Sequence, residues 1–344
     1  MTSLVLVTGV TGLIGFRVLL ETLRKGYTVR FAARSEEKAQ KVLSRPAIQG
    51  LNAGDRLSYV LIPDISAENA YDEALKGVSY VLHVGTPVPV PGYDPLTQIY
   101  NPTVQSIPNL LGSALKTPTL KRLVITSSIV ANLAPNPDPA VTSTGATRIP
   151  ITAPPETISS PFEAYVLGKI ISLNATDEFI AKEKPHFSIA HIFPGYVFGR
   201  NDLLDGEGTE LLFQNSSNGY LLGSILGTEI GMPIHGGYVH IDDVADVHLR
   251  VLELDPAADS ACGTPHSFGA CTTLEAFNTF DIVEKAFPKA VANGTFSRGA
   301  LPKLPISYDS SETERVLGMK FRSFESAVAD TAAQYLESRG LEVA

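Results

Sequence analysis

The chain of 344 residues is poor in cysteine, in net positive charge and in long apolar runs. Each shortage removes a class of function. Cys262 and Cys271 are the only cysteines, and their spacing fits neither a zinc pair nor a redox motif. They read as two reduced, mostly buried thiols, so a disulfide-stapled secreted scaffold is excluded. Acidic residues outnumber basic ones by 36 to 27, giving a formal net charge of -9. No run of Lys or Arg offsets that balance, which argues against a nucleic-acid partner. No stretch approaches the roughly 20 apolar residues needed to cross a membrane. The N-terminus enters an apolar strand at Leu4–Val7 with no basic stretch before it, and a cytoplasmic location is expected. No internal repeat is visible.

What the chain does have is a core. Hydrophobic residues make up 44% and charged residues 18%, a composition that folds rather than staying disordered. Apolar strands are expected at Leu4–Thr8, Tyr27–Ala33, Leu57–Ile62, Val78–Val84 and Arg122–Ser127. Helical patterns lie between them at Gly12–Lys25, Glu36–Leu43, Ala67–Leu75 and Pro95–Leu115. Continuous Val/Ile/Leu strands alternating with helices predict an α/β fold of the Rossmann type, a doubly wound parallel sheet buried on both faces. Further on, a helix is expected at Phe162–Lys182, a strand at Phe187–Phe193 and a helix at Asp242–Leu254 opened by Asp242. Tyr238–Ile241 is expected to return to the sheet. The Pro/Ser/Thr-rich segment Pro135–Pro161 is too long for an ordinary connection and reads as a wall of the active site. Residues Arg200–Gly231, rich in Gly, Asn and Leu, read as an insertion outside the sheet.

The first strand runs into Thr8-Gly9-Val10-Thr11-Gly12-Leu13-Ile14-Gly15. In such a turn Gly9 permits the tight bend, Gly12 lets a phosphate approach the backbone, and Gly15 lets the helix press on the strand. A pyrophosphate then meets the positive end of the helix. Gly9, Thr11, Gly12, Leu13 and Ile14 are therefore expected to hold a dinucleotide. The second strand ends Ala33-Arg34-Ser35, without the acid that holds an unphosphorylated ribose. Arg34 offers a planar fork suited to a 2′-phosphate, and Lys38 follows one turn later. The expected cofactor is NADP(H).

Tyr165 and Lys169 stand four apart in a predicted helix and so share a face. None of the other 11 tyrosines has a lysine four positions on. This helix follows the fifth strand, which ends Thr126-Ser127-Ser128. Free tyrosine, with a pKa near about 10, exchanges protons poorly at neutral pH. A neighbouring ammonium is expected to lower that value, and a serine hydroxyl to hold the oxygen of a reacting carbonyl.

Together the glycine turn, Thr126-Ser127-Ser128, Tyr165-Val166-Leu167-Gly168-Lys169 and Pro194-Gly195-Tyr196-Val197-Phe198-Gly199 resemble the extended short-chain dehydrogenase/reductases. Within them the sequence is similar to the dihydroflavonol-reductase group, and most to its fungal aldehyde and ketone reductases of the methylglyoxal-reductase kind. Ala33–Lys38, Ile62–Ser66, Gly236–Ala245 and Leu317–Phe321 carry this likeness across nearly the whole chain. The resemblance implies an NADPH-dependent carbonyl reductase with Ser128, Tyr165 and Lys169 as its catalytic residues. It puts Asp64 and Ile65 by the adenine. It puts Val84, Gly85 and Thr86 along the cofactor, with Pro194 and Val197 beside the nicotinamide. Asn101 stands at the position of a family asparagine.

The resemblance also implies a cofactor domain of residues 1–193 plus 236–261. A substrate lobe of 194–235 plus 262–344 completes the chain, acting as monomer or homodimer on a small carbonyl compound. Ser128, Leu133, Tyr165 and Tyr196 are expected to line the substrate pocket. Plant flavonoid reductases carry a polar residue where this chain has Leu133, and an asparagine where it has Phe193, so an apolar ketone or aldehyde is expected. Asn132, one place before Leu133, is expected to point elsewhere. His83 reads as a packed or cofactor-adjacent histidine. His235, His240, Asp242, Asp243 and His248 do not space as ligands, and no metal is expected. Two other readings remain: a further dehydrogenase or epimerase of the same fold, and a non-catalytic NADP sensor.

Overall fold

The computed structural model describes residues 3–150, 157–214, 216–255 and 266–343. Cys262 and part of the Pro135–Pro161 segment lie outside them, as does the expected boundary at 261/262. Chain order runs β1 (Leu4–Thr8), α1 (Leu13–Arg24), β2 (Thr28–Ala33), α2 (Glu36–Leu43), α3 (Pro46–Gln49), β3 (Leu57–Leu61), β4 (Tyr80–His83), α4 (Asn101–Leu115) and β5 (Arg122–Thr126). There follow β6 (Thr142–Thr144), α5 (Pro161–Glu183), β7 (Ser188–Pro194), β8 (Tyr196–Phe198), α6 (Asn218–Ile225), β9 (Ile234–His235), β10 (Gly237–His240) and α7 (Ile241–Glu253). The chain closes with β11 (His266–Ala270), β12 (Thr272–Thr273), β13 (Lys303–Leu304), β14 (Ser307–Asp309) and a helix over Phe324–Ser338.

Seven strands form one parallel sheet in the order β11-β7-β5-β4-β1-β2-β3. The order reverses at β1, and in such sheets ligands bind beyond the carboxyl ends of the strands near that reversal. All five residues of β5 are buried, as a central strand covered on both faces requires. Edge strand β3 is only partly covered. On one face α1, α2 and α7 bury Phe16, Leu20, Val42 and Val247 against Val5, Val7 and Val29. On the other, Tyr71, Leu75, Ile107 and Leu111 meet Leu6, Val81 and Leu123. A separate apolar cluster joins Phe198, Leu222, Tyr238, Phe277, Phe296, Phe324 and Tyr335.

Four expectations change. Ala67–Leu75 forms a chain of turns, because Asn69 adopts a left-handed conformation (φ 60) that an α-helix does not accept. Pro95–Leu115 divides into a wide six-residue turn over Pro95–Tyr100 and then α4. The Tyr238 strand does not return to the main sheet; β10 pairs with β8 and β12. The Pro-rich segment was expected to wall the site; residues 151–156 of it lie outside the described residues, and Gly145 and Arg148 lie against Ser267 on the outer edge of the sheet. β6 pairs with β14, and Gly145 lies so close to Ser267 of edge strand β11 that a Cβ would stand 2.6 Å from the Ser267 carbonyl oxygen. A covered edge cannot recruit another strand.

Candidate active site

The glycine turn contains three glycines with two different reasons. Gly9 has φ 75, and a Cβ there would sit 2.5 Å from the Gly85 nitrogen. The exit of β4 is pressed onto the turn by Thr8, whose Oγ1 accepts from the Val84 and Gly85 N–H groups (3.2 and 3.1 Å) and pairs with His83 Nδ1 at 3.0 Å. At Gly15 a Cβ would fall on the Gly9 carbonyl. Gly12 is different: its nearest neighbour outside the local chain is the Gly9 oxygen at an ordinary 3.5 Å. Among the described residues, none claims that space. Gly12 starts α1 without a side-chain cap and without an acid in the first turn, so the helix N-terminus keeps its positive end for a ligand. Thr11 is exposed and Leu13 and Ile14 half-buried around it.

At the end of β2, Ala33 is buried while Arg34 and Lys38 are exposed. Neither cationic side chain has a hydrogen bond or ion pair among the described residues. The nearby carboxylate of Glu36 is engaged by Gln40 (2.8 Å) and Tyr59 (2.7 Å), and Ser35 caps α2 on the Lys38 N–H. An uncapped helix start beside two unpaired cations fits a phosphate-rich dinucleotide. Asp64 is exposed and holds its own turn through Ser66 (2.8 Å), while Ile65 packs at the edge of the core.

The catalytic candidates converge from β5, its following turn and α5. Ser128 starts the turn Ile129–Ala131, accepting from the Val130 N–H at 3.4 Å. Its hydroxyl lies near enough to the Tyr165 phenol to favour the ionised form, so the second serine of the pair is the one that meets the tyrosine. The Lys169 ammonium lies 5.7 Å from the Tyr165 ring centre. It donates to the Thr126 carbonyl (2.9 Å) and to Thr86 Oγ1 (3.1 Å). Thr126 is itself fixed by His248, whose Nδ1 donates to the Val244 carbonyl at 2.7 Å and whose Nε2 accepts from Thr126 Oγ1 at 2.6 Å. Thus α7 on one face holds the strand end that holds the lysine.

Protonation differs from the expectation. Burial pushes the Tyr165 phenol above its usual value, and the Ser128 hydroxyl only partly opposes it. Lys169, 5% exposed, is pushed down to about 7 by burial. The dominant influence on this tyrosine is desolvation, which keeps it protonated.

Asn101 opens α4 but does not line the small cavity behind Lys169. Thr103 and Ile107 line a small polar cavity behind Lys169, together with Thr86, Ser172, Thr176 and His191. Gly168 lets α5 approach: a Cβ there would stand 3.0 Å from Thr103 Cγ2. Pattern alone could not find Thr103, since it carries no motif of its own.

Beyond β7, Pro194 and Val197 are buried and Tyr196 is half-buried. Burial pushes the Tyr196 phenol well above its usual value, and its ring packs edge-on to Tyr220 at 6.3 Å. Leu133 is 3% exposed, in a cluster with Phe193, Cys271 and Tyr308. Expected at the pocket surface, it lies inside the wall behind it. Asn132 does point elsewhere: its amide donates to the Thr147 carbonyl (2.7 Å) and accepts from Tyr308 (2.9 Å).

Of the residues weighed for a metal, four have separate partners. His240 Nε2 meets Asp330 at 3.1 Å, Asp242 pairs with Arg17, Asp243 with Arg322, and His248 with Thr126. The α7 cap is His240, whose Nδ1 accepts from the Asp242 N–H at 3.1 Å, so Asp242 is not the cap. Arg17 had no sequence signal, yet it ties α1 to both Asp242 and Asp202 (2.8 Å).

The family model of the NAD dependent epimerase/dehydratase family matches residues 5–261. Ketoreductase CTB6 of Cercospora beticola is 35% identical, over 97% of this chain and 95% of its own. The NAD-dependent epimerase/dehydratase ALT6 of Alternaria alternata is 31% identical over 97% and 98%. Yeast methylglyoxal/isovaleraldehyde reductase Gre2, crystallised with NADPH, superposes with a TM-score of 0.79 at 25% identity, covering 98% of this chain and 99% of its own. The chain belongs to the NAD dependent epimerase/dehydratase family, as an oxidoreductase of the extended short-chain dehydrogenase/reductase type that works with a nicotinamide cofactor.

Proposed function

We propose that the chain is an NADPH-dependent carbonyl reductase that converts an apolar ketone or aldehyde to its alcohol. The observation that carries this reading is the convergence of Ser128, Tyr165 and Lys169, with the Lys169 nitrogen 5.7 Å from the Tyr165 ring centre. Gly12, the start of α1 and the cations Arg34 and Lys38 would hold the dinucleotide, with Asp64 and Ile65 at its adenine end. Val84, Gly85 and Thr86 would run along it, and Pro194 and Val197 would sit beside the nicotinamide. When bound, this cofactor supplies the hydride. Tyr165 Oη gives its proton to the carbonyl oxygen, and Ser128 Oγ donates a second hydrogen bond to the same atom. Burial suits this direction, because a phenol that stays protonated is ready to donate. Lys169 keeps one N–H after serving Thr126 and Thr86; that group would face the nicotinamide ribose and stabilise the phenolate left behind.

NADP(H) is favoured over NAD(H) by the buried Ala33 and the unpaired Arg34 at the end of β2. Residues 1–193 plus 236–261 would form the cofactor domain and the remainder the substrate lobe. The test is cofactor oxidation with NADPH and NADH in parallel, over aliphatic, aryl and diketone substrates, for the wild-type chain and Tyr165→Phe. NADPH consumption should fall by about 10²–10⁴-fold in the variant with NADPH affinity kept. Turnover that survives in Tyr165→Phe would assign the proton to another group.

A further inference from the structure

The structure assigns His235 to the substrate pocket, and we propose that it recognises a second oxygen function, a hydroxyl or a carbonyl, on a substrate that is otherwise apolar. This rests on the carbonyl-reductase reading and names the substrate class within it.

Three observations place the side chain. In β9 the preceding residue, Ile234, is buried in the apolar cluster of Phe198 and Phe324. Successive side chains of a strand point to opposite faces, so His235 faces away from that cluster. Its ring lies 6.2 Å from the ring of Phe162, tilted by 35°. Phe162 stands three residues before Tyr165 on α5, the spacing that puts two side chains on one helix face. Two residues further on, Gly237 abuts the chain after β7: a Cβ on Gly195 would stand 2.8 Å from the Gly237 carbonyl oxygen. The segment from His235 to Gly237 thereby runs from the helix that carries Tyr165 to the chain that follows Pro194.

Its surroundings are apolar and its polarity is unspent. Its ring neighbour is Phe162, and Leu304, its register partner across β13, is a partly exposed apolar side chain. His235 is only 7% exposed, and its buried Nδ1 has no hydrogen-bond partner. Burial lowers its pKa, so the ring is neutral at neutral pH. A neutral imidazole donates from one nitrogen and accepts at the other, and can answer a carbonyl or a hydroxyl. A buried polar atom without a partner is costly, and a ligand that supplies the partner is selected over one that does not.

The test compares matched substrates differing by one oxygen: hexan-2-one with hexane-2,5-dione, and 4-phenylbutan-2-one with 4-(4-hydroxyphenyl)butan-2-one. For each pair kcat/KM with NADPH, and Kd on the NADP-loaded protein, are measured for wild type, His235→Phe and His235→Gln. The wild type should favour at least one oxygenated member, and His235→Phe should lower that preference about tenfold in both readouts, as loss of one hydrogen bond of about 1.4 kcal/mol predicts. His235→Gln, which still donates and accepts, should restore part of it. The dione pair and the phenol pair separate carbonyl from hydroxyl recognition. Equal losses for both members of each pair, or preferences untouched by His235→Phe, would overturn the proposal. A wild type that binds these compounds with the same His235-dependent preference yet oxidises no NADPH would overturn the reductase reading and leave the recognition role standing.

Discussion

The two halves of the molecule are held together by different kinds of contact. Around the glycine turn the decisive contacts are made to backbone: Gly9 on Gly85, Gly15 on the Gly9 carbonyl, and the Thr8 hydroxyl on the Val84 and Gly85 N–H groups. In the half beyond β7 they are ring to ring. Phe324 meets Tyr238 at 5.0 Å, Phe277 at 5.6 Å and Phe198 at 6.1 Å, bringing together residues far apart in sequence. A backbone contact admits glycine or nothing, so it leaves a motif. A ring contact admits many apolar residues of similar volume, so it leaves none. That is why the glycine turn can be read position by position and the half beyond β7 cannot.

Substitutions that separate these two kinds of contact sharpen the comparison. Phe324→Ala, at the centre of the aromatic cluster, should have the largest effect, lowering folding stability by about 3–5 kcal/mol in chemical denaturation. A loss below about 1 kcal/mol would mean that the cluster is not the keystone of its half. Arg34→Asp should turn the preference for NADPH over NADH by roughly 1.5–3 kcal/mol, about 10–100-fold in the ratio of kcat/KM values, with little change in thermal unfolding. An unchanged ratio would remove Arg34 from the 2′-phosphate. Gly12→Ala should have the smallest effect on stability, below about 1 kcal/mol, because its Cβ meets only ordinary contacts. It should nonetheless weaken NADPH binding measured by calorimetry. A variant that binds as tightly as wild type would show that the space over Gly12 is not where the phosphate passes.

Protonation offers a second contrast between the two partners of the site. Both Tyr165 and Lys169 are desolvated, but burial disfavours the charged form in each, which raises the phenol and lowers the ammonium. The pair therefore drifts toward neutrality before any ligand arrives. The hydrogen bonds from Lys169 to the Thr126 carbonyl and Thr86 position the amine without supplying a countercharge.

By itself the amino-acid sequence determined the doubly wound sheet, the glycine turn, the missing acid at Ala33-Arg34 and the Ser128, Tyr165 and Lys169 set. These depend on short-range regularities: strand runs bounded by turns, a four-residue helix repeat, and glycine where backbone approaches backbone. Local pattern failed at Ala67–Leu75, where an amphipathic run is broken by the left-handed Asn69. It failed again at the start of α7, where His240 takes the cap expected of Asp242, because Arg17, which also pairs with Asp202, engages the Asp242 carboxylate. Only the tertiary structure decided that Thr103 rather than Asn101 reaches the Lys169 cavity, that Leu133 is buried in the wall, and that His235 stands beside Phe162. Each of these is settled by a partner dozens of residues away, and a contact of that kind has no period in the chain to announce it.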